Sequence, residues 1–316
     1  MLVRVSYGTA ISMGLAPGKM LARPTTAYLM TYYSGRCMNN CGFCPQARES
    51  KADLKKLSRI TWPAFELENV IERLRDGVFG GVCLQTIDYP GMIEDVLTIL
   101  EDLQPLGIPV SLSITPVSRN LLLKFKSLGT EYVGIGLDVA SEMLYGAIKD
   151  SAYSWGRMWD FTRDVVEIFG SGRAVVHVIV GLGETDRELI TTFEEVYRLG
   201  GEVSLFAFTP IRGTRLENLS PPDIVRYRRI QLAHYLIRRN LPRNFEFDGK
   251  GSLRSFGLNG DELVKVVSPE AFMTYGCPAC NRPYYNERPG LEPYNFPVAP
   301  AEGYVREQVR LILEDL

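Results

Sequence analysis

From about residue 25 onward, short β-rich runs alternate with amphipathic segments of helical period, and this alternation limits the possible folds more than any other feature. The strand candidates cover 27–33, 81–87, 109–114, 132–138, 174–181, 203–208 and 245–247. Between them, helical patterns cover 62–75, 91–103, 119–127, 157–169, 186–197 and 222–239. Seven such alternations joined by short loops predict an α/β fold, a partial or full (β/α) barrel of the TIM type over 25–257, rather than a doubly wound sheet. Barrels of this kind carry their working groups at the C-terminal ends of the strands. Cys83 and Gln85, Pro116, Asp138, Glu184, and Pro210 with Gly213 fall near those ends. Beyond about Gly257 the alternation fails. Residues 278–300 are rich in Pro, Tyr and Asn, and a last helix is expected from about Glu302 to Asp315. Residues 1–24 thus read as an N-terminal extension, and 258–316 as a C-terminal extension over the barrel mouth rather than a second domain.

Composition narrows the classes of function. The chain has 316 residues, 46% of them hydrophobic, with 35 Lys+Arg against 37 Asp+Glu, which excludes a disordered or collagen-like chain and gives no basic tail for nucleic acid. No apolar run approaches the roughly 18 residues needed to cross a bilayer; residues 174–181 are strand-sized and interrupted by His177. Residues 1–14 lack a long apolar core and a cleavage site, so the expectation is a cytoplasmic protein without membrane or nucleic-acid partners. In a reducing compartment the six cysteines more often hold metal or do chemistry than form disulfides.

Cys37, Cys41 and Cys44 lie in Y-S-G-R-C-M-N-N-C-G-F-C-P-Q, directly after the first strand of the alternation. Gly35, Asn39, Asn40 and Gly42 let that backbone curl so that three thiolates can surround one small inorganic cluster. Zinc would want a fourth ligand nearby, and neither His177 nor His234 is local. A four-iron cluster on three protein ligands leaves one iron open for a chelating ligand.

The spacing C-x3-C-x2-C, with Phe43 just before the last Cys, resembles the radical S-adenosylmethionine superfamily, and the resemblance extends over about 25–257. It implies that Cys37, Cys41 and Cys44 hold a catalytic [4Fe–4S] cluster whose open iron chelates S-adenosylmethionine. The reduced cluster would release a 5′-deoxyadenosyl radical inside a dry cavity. Further residues extend the resemblance. H-V-I-V-G-L-G-E, 177–184, is similar to the family's G-x-I-x-G-x-x-E, with Ile179 on the adenine, Gly181 permitting close approach and Glu184 closing the motif; His177 departs from the first Gly. Asp138, in G-I-G-L-D-V-A-S-E, stands where relatives place a ribose-binding carboxylate, although Asp138 or Ser141 could equally cap a helix. Arg157 occupies the position of an arginine that grips the methionine carboxylate, with a surface salt bridge as the competing role. Gln85 and Thr86 stand where backbone groups receive the methionine amino group, without the usual Gly-Gly-Glu. F-T-P-I-R-G-T, 208–214, resembles the turn that lines the adenine through Pro210, and would also serve as a plain turn.

Within the superfamily, L-D-V-A-S-E, V-G-L-G-E and P-I-R-G-T look most like the biotin synthase and lipoyl synthase branch. Cys83 coincides with a strand cysteine that biotin synthases use for an auxiliary cluster, yet 110–115 and 175–180 carry no further cysteine, so sulfur insertion into dethiobiotin is the runner-up. Cys277 and Cys280 form G-C-P-A-C-N-R-P-Y-Y-N-E, alone compatible with half a zinc site or a redox pair. If the extension folds over the barrel mouth, Cys83, Cys277 and Cys280 meet and hold an auxiliary iron–sulfur cluster, expected to be [4Fe–4S]. Its fourth ligand would come from Ser252, Arg254, Ser255 or Asn281. The pattern is similar to a chain, the second, of the archaeal two-component lipoyl synthases. That resemblance implies sulfur insertion into an octanoyl-lysine on a carrier such as the glycine cleavage H protein or an E2 lipoyl domain. It also implies a second lipoyl synthase chain and an electron donor such as ferredoxin. A radical enzyme with a structural or electron-relay auxiliary cluster, and a non-catalytic scaffold, are the other readings. Arg282, Arg288 and the Tyr284–Tyr285 pair are candidates for docking the carrier, with packing of the tyrosines onto the barrel as the alternative.

Overall fold

The computed structural model describes residues 1–287 and 290–316. Lys56–Leu57 and Ile60–Thr61 pair as a short antiparallel hairpin; the other strands are β1 (Leu2–Val5), β2 (Ala27–Thr31), β3 (Ala64–Glu66), β4 (Val82–Gln85), β5 (Val110–Ser113), β6 (Thr130–Asp138), β7 (Ala174–Val180), β8 (Glu202–Ala207), β9 (Glu246–Phe247) and β10 (Leu253–Ser255). The principal helices are α1 (Tyr7–Ser12), α2 (Leu67–Leu74), α3 (Met92–Leu103), α4 (Arg119–Ser127), α5 (Trp155–Phe169), α6 (Asp186–Arg198), α7 (Ile224–Arg238), α8 (Gly260–Val266) and α9 (Glu302–Asp315). Eight strands form one sheet in the order β8-β7-β6-β5-β4-β2-β1-β3. β2 and β4 to β8 run parallel, while β1 pairs antiparallel with β2 on one side and β3 on the other. Because β8 and β3 are separate edges, the barrel is partial.

Side-chain alternation sorts the two faces of this sheet. Val82, Leu84, Leu112, Val133, Ile135, Val176 and Val178 are fully buried and belong to one apolar core with Val96, Ile99, Phe125, Phe161 and Phe193 of the helices. The intervening residues, among them Gln85, Ser113, Gly136, His177, Ile179 and Phe206, instead line a cavity on the other face. Helix starts follow the local sequence: Ser118 and Ser154 cap α4 and α5, and Thr185 with Glu188 makes a capping box on α6.

Three expectations change. Residues 245–247 do not add a seventh parallel strand; β9 pairs antiparallel with β10 in a separate hairpin. Asp248 accepts hydrogen bonds from Lys250 N and Ser252 N, both at 2.9 Å, and so closes a turn that returns the chain before it can reach β8. The C-terminal extension, expected over the mouth, enters instead at the strand-start end. Tyr275 Oη donates to Glu202 Oε2 at 2.8 Å, beside the first residue of β8. Asn286 Nδ2 donates to Ala207 O at 2.6 Å, beside the last. The segment therefore climbs the open flank of the barrel and reaches the mouth only with Tyr285 and Asn286. Leu2–Val5, assigned from sequence to an N-terminal extension, lies within the main sheet.

Candidate functional site

The loop after β2 is shaped by backbone hydrogen bonds to its surroundings. Cys37 N donates to Gln46 O and Met38 N to Asp88 O, at 2.9 and 2.8 Å; Gly42 N donates to Ile148 O at 2.8 Å; Cys44 N closes a turn onto Cys41 O at 2.9 Å. The three thiols line one cavity of about 220 Å³ at the strand-end mouth. All six cysteines are free. Burial, reinforced by the neighbouring thiols, pushes Cys44 well above the usual thiol range, and burial raises Cys37 and Cys41 as well. Such thiols are protonated until a metal displaces the proton. Among the described residues no three His, Cys, Asp or Glu side chains converge on a single metal ion. A cluster takes one thiolate per iron and needs no such convergence. Three unpaired thiols around one cavity fit that group.

Phe43, Gln85, Thr86, Asp138 and Ile179 line the same cavity. Asp138 ends β6 with φ of 66°, and its carboxylate is paired with the buried Lys149 ammonium, which also donates to Gly136 O at 2.8 Å. Burial alone would lower Lys149, but the Asp138 carboxylate outweighs it and raises its pKa, so it stays charged. Neither Asp138 nor Ser141 caps a helix with its side chain. Four other expected contacts stand outside the cavity lining. Arg157 donates to Val117 O at 2.8 Å and pairs with Asp164 at 3.4 Å. Glu184 accepts from Gly181 N and Leu182 N, both at 2.8 Å, and pairs with Arg226 at 3.1 Å, so it braces the turn after β7. Gly181, with φ of 104°, packs against Pro222. Pro210 is likewise absent from the lining, where Phe208 and Thr209 stand.

Sequence reading missed Asp88. Its backbone N–H lies 3.3 Å from Cys37 Sγ, and its carboxylate takes hydrogen bonds from Asn39 and Thr115. The signal was a lone acid in I-D-Y-P just past β4, without a motif to mark it. Lys149 was missed for a similar reason.

The second trio assembles at the opposite end of the barrel. Cys83, on β4, carries Gln85 Nε2 at 3.5 Å from its sulfur. Burial raises its pKa, and the neighbouring Cys277 and Cys280 raise it further. Cys277, pushed up to about 12 chiefly by burial, hydrogen-bonds Ser111; Tyr28 Oη lies 3.5 Å from Cys280 Sγ. Thr25 and Thr26, just before β2, both donate to Ala279 O between the two cysteines. The meeting at the strand-start end, rather than the mouth, follows from these anchors. Three proposed partners for the fourth position stand elsewhere: Ser252, Arg254 and Ser255 belong to the β9–β10 hairpin, where Arg254 pairs with Asp248 at 2.9 Å and caps Leu316 O at 3.0 Å. Asn281 is nearby, but its amide is spent on Thr25 N and Arg23 O, at 3.0 and 2.9 Å. Arg282 is the group that sequence reading misassigned to a docking surface. It stacks over Phe206 at 3.9 Å, its charge acts on both Cys83 and Cys277, and its buried Nε and Nη1 have no hydrogen-bond partner. Arg288 lies outside the described residues. Tyr285 is half-buried and packs on Phe206 with ring centroids 5.4 Å apart.

A model of the radical SAM superfamily matches residues 31–196, a span that takes in the whole first cysteine loop and β4 to β7. The chain belongs to the radical SAM superfamily. A radical SAM protein binds a [4Fe–4S] cluster and S-adenosylmethionine, and the cavity and its three thiols suit that pair. Biotin synthases are among the relatives of this radical SAM chain. That of Rickettsia felis is 24% identical over 228 residues, covering 68% of this chain and 70% of its own; that of Pseudoalteromonas translucida is 22% identical over 264 residues, covering 77% and 73%. Among solved structures, methylornithine synthase matches with a TM-score of 0.53 at 19% identity, over 68% of this chain and 62% of that one. The FeFe-hydrogenase maturase HydG of Carboxydothermus hydrogenoformans matches at 0.51 and 16%, over 69% and 52%. The chain thus spans less than two thirds of the length of these solved proteins, and at such identities they speak for the fold alone. Among the described residues no helix is long and apolar enough to cross a membrane.

Proposed function

We propose that this radical SAM protein inserts sulfur into an unactivated carbon of a protein-bound octanoyl-lysine, acting with a partner lipoyl synthase chain. The observation that carries the reading is the pair of cysteine trios at opposite ends of one barrel, joined by Gln85, which lines the S-adenosylmethionine cavity and lies 3.5 Å from Cys83 Sγ. When bound, the first cluster with S-adenosylmethionine supplies a hydrogen-abstracting radical and the second supplies sulfide. The residues hold and separate these groups. Cys37, Cys41 and Cys44 hold the first, with the Asp88 N–H directed to Cys37. Phe43, Thr86 and Ile179 wall the nucleotide, Lys149 keeps Asp138 fixed, and Gln85, His177 and Phe206 exclude water beneath it. Cys83, Cys277 and Cys280 would hold the auxiliary cluster, and the Arg282 guanidinium, whose buried Nε and Nη1 have no partner, would donate hydrogen bonds to its sulfur atoms. A carrier domain such as an H protein or E2 lipoyl domain and a ferredoxin-type donor complete the proposal.

Iron counting after anaerobic reconstitution tests the arrangement: about eight irons per chain, falling to about four in Cys277→Ala/Cys280→Ala. An unchanged count sinks the auxiliary site. Incubation with reductant, S-adenosylmethionine and an octanoylated carrier peptide is expected to give 5′-deoxyadenosine and a sulfur mass gain on the peptide. The second reading, sulfur insertion into dethiobiotin, draws on the biotin synthase relatives. Thiolated product from dethiobiotin and none from the peptide would favour it.

A further inference from the structure

A second cavity, of about 550 Å³, opens on the flank of the barrel between the N-terminal segment and the C-terminal extension. Ile11 of α1, Met20 and Tyr284 form its walls, and its outer rim includes the exposed Lys19. Leu21, between the lining residues Met20 and Ala22, is 80% exposed, a large apolar side chain left in solvent beside the opening. At its inner end the cavity is bounded by Gln85, Phe206 and Tyr285, the same three residues that line the S-adenosylmethionine cavity. Tyr28, also in its wall, reaches Cys280. The inner end therefore lies where the two cysteine trios face each other.

The walls specify an occupant. They are mainly apolar, yet Trp62, only 2% exposed and part of the lining, has its Nε1–H buried with no hydrogen-bond partner. An indole N–H can only donate, and leaving it unpaired in an apolar wall is costly. Arg59 and Arg282 share this lining, the latter with Nε and Nη1 also unpaired, so a ligand that satisfies the cavity must be largely apolar and must carry hydrogen-bond acceptors. A cavity of this size with mainly apolar walls and a few fixed polar groups has the form of a small-molecule site.

We propose that this flank cavity, rather than the strand-end mouth, admits the substrate: an unbranched acyl chain joined by an amide to a lysine of another protein, its carbonyl accepting from Trp62 Nε1. The inference rests on the sulfur-insertion reading for the identity of the acyl group, and on the cavity and the orphan donor for the route. The acyl tip passes to Gln85, Phe206 and Tyr285, while the carrier stays outside against the N-terminal segment.

Photo-crosslinking tests the route on the cluster-loaded protein with S-adenosylmethionine. Two probes are octanoyl-lysine peptides with a diazirine at the acyl terminus or at mid-chain; a third is free octanamide with a terminal diazirine. The terminal peptide probe is expected to label Phe206 or Tyr285, and the mid-chain probe Ile11, Met20 or Tyr284. Ile11→Trp and, separately, Met20→Trp narrow the channel and should cut both labels at least fivefold. Uncoupled S-adenosylmethionine cleavage by dithionite should be unchanged. Trp62→Phe should weaken peptide binding about five- to tenfold, the size expected for one hydrogen bond, and leave an alkyl probe without a carbonyl unaffected. Labelling of mouth residues such as Thr115 or Tyr153 by the mid-chain probe, or no labelling at all, overturns the channel. Labelling by free octanamide but not by the peptide overturns the tethered substrate. A thiolated octanoyl peptide formed despite either result would leave the sulfur-insertion reading standing; no thiolated product with the channel labelled would sink that reading alone.

Discussion

At the residue scale, the chemistry of the site depends on groups that motif spacing does not mark. Lys149 is a buried cation paired with Asp138, and removing one member of such a pair leaves the other charge stranded. Lys149→Met is expected to destabilise the protein by about 3 kcal/mol in urea denaturation. Adding Asp138→Asn should recover at least half of that, because Asn tolerates the positive φ there. No recovery in the double variant would show that the pairing is not what the single variant lost. The two histidines set a pH dependence. Burial holds His177 at about 4 and His234 at about 3, against an ordinary value near 6.5, so both are neutral in the folded protein. Below about 6.5 the unfolded chain gains protons that the folded chain refuses, so this contribution is complete above 6.5 and lost progressively as pH falls towards 4. Melting temperature should fall between pH 7 and 5, and less steeply in His234→Gln. Equal slopes would contradict the assignment.

At the scale of elements, the first cysteine loop is held by the turn after β8 as well as by its own sequence. Gly213 has φ of 89°, and a Cβ there would lie 2.5 Å from Ala52 N, just beyond the loop. Lys51 N donates to Gly213 O at 2.7 Å. The P-I-R-G-T segment therefore serves by docking onto the loop, whereas the sequence suggested only a turn or an adenine wall. Gly213→Ala should cost about 2–4 kcal/mol and loosen the first cluster. Gly77→Ala, with φ of 69° and open space around it, should cost about 1 kcal/mol. Denaturation curves and iron retention of the two variants separate close backbone contact from conformational preference; equal losses would refute the docking role.

At the scale of the whole molecule, the proposed auxiliary site requires the extension to stay on the barrel, and Arg228 secures much of that contact. Fully buried on α7, it donates to Gln231 Oε1 at 2.6 Å, to Tyr294 O at 2.5 Å and to Pro293 O, and lies over Phe272 and Phe296. Arg228→Ala removes the Arg228 hydrogen bonds to Pro293 O and Tyr294 O, leaving Tyr294 O to Gln231 Nε2 at 2.9 Å. The expected result is early proteolytic cleavage in the extension and loss of about four irons, with about four kept at the first site. Retention of all the iron would mean that the extension is held independently of Arg228.

The sequence by itself determined the alternating elements and the first cysteine trio, because both are local: a strand or helix face follows from side-chain period, and three thiols within eight residues can only share one loop. It also brought Cys83 together with Cys277 and Cys280 in principle, from the count of cysteines. Only the tertiary structure decided the end of the barrel at which they meet. That depends on Tyr275, Asn281 and Asn286 finding partners on β8 and before β2, contacts between residues up to 258 positions apart. The same holds for the hairpin at 246–255, the buried setting of Arg282 and the flank cavity. Each is created by segments remote in sequence, and no local period or motif records which distant surface a segment will cover.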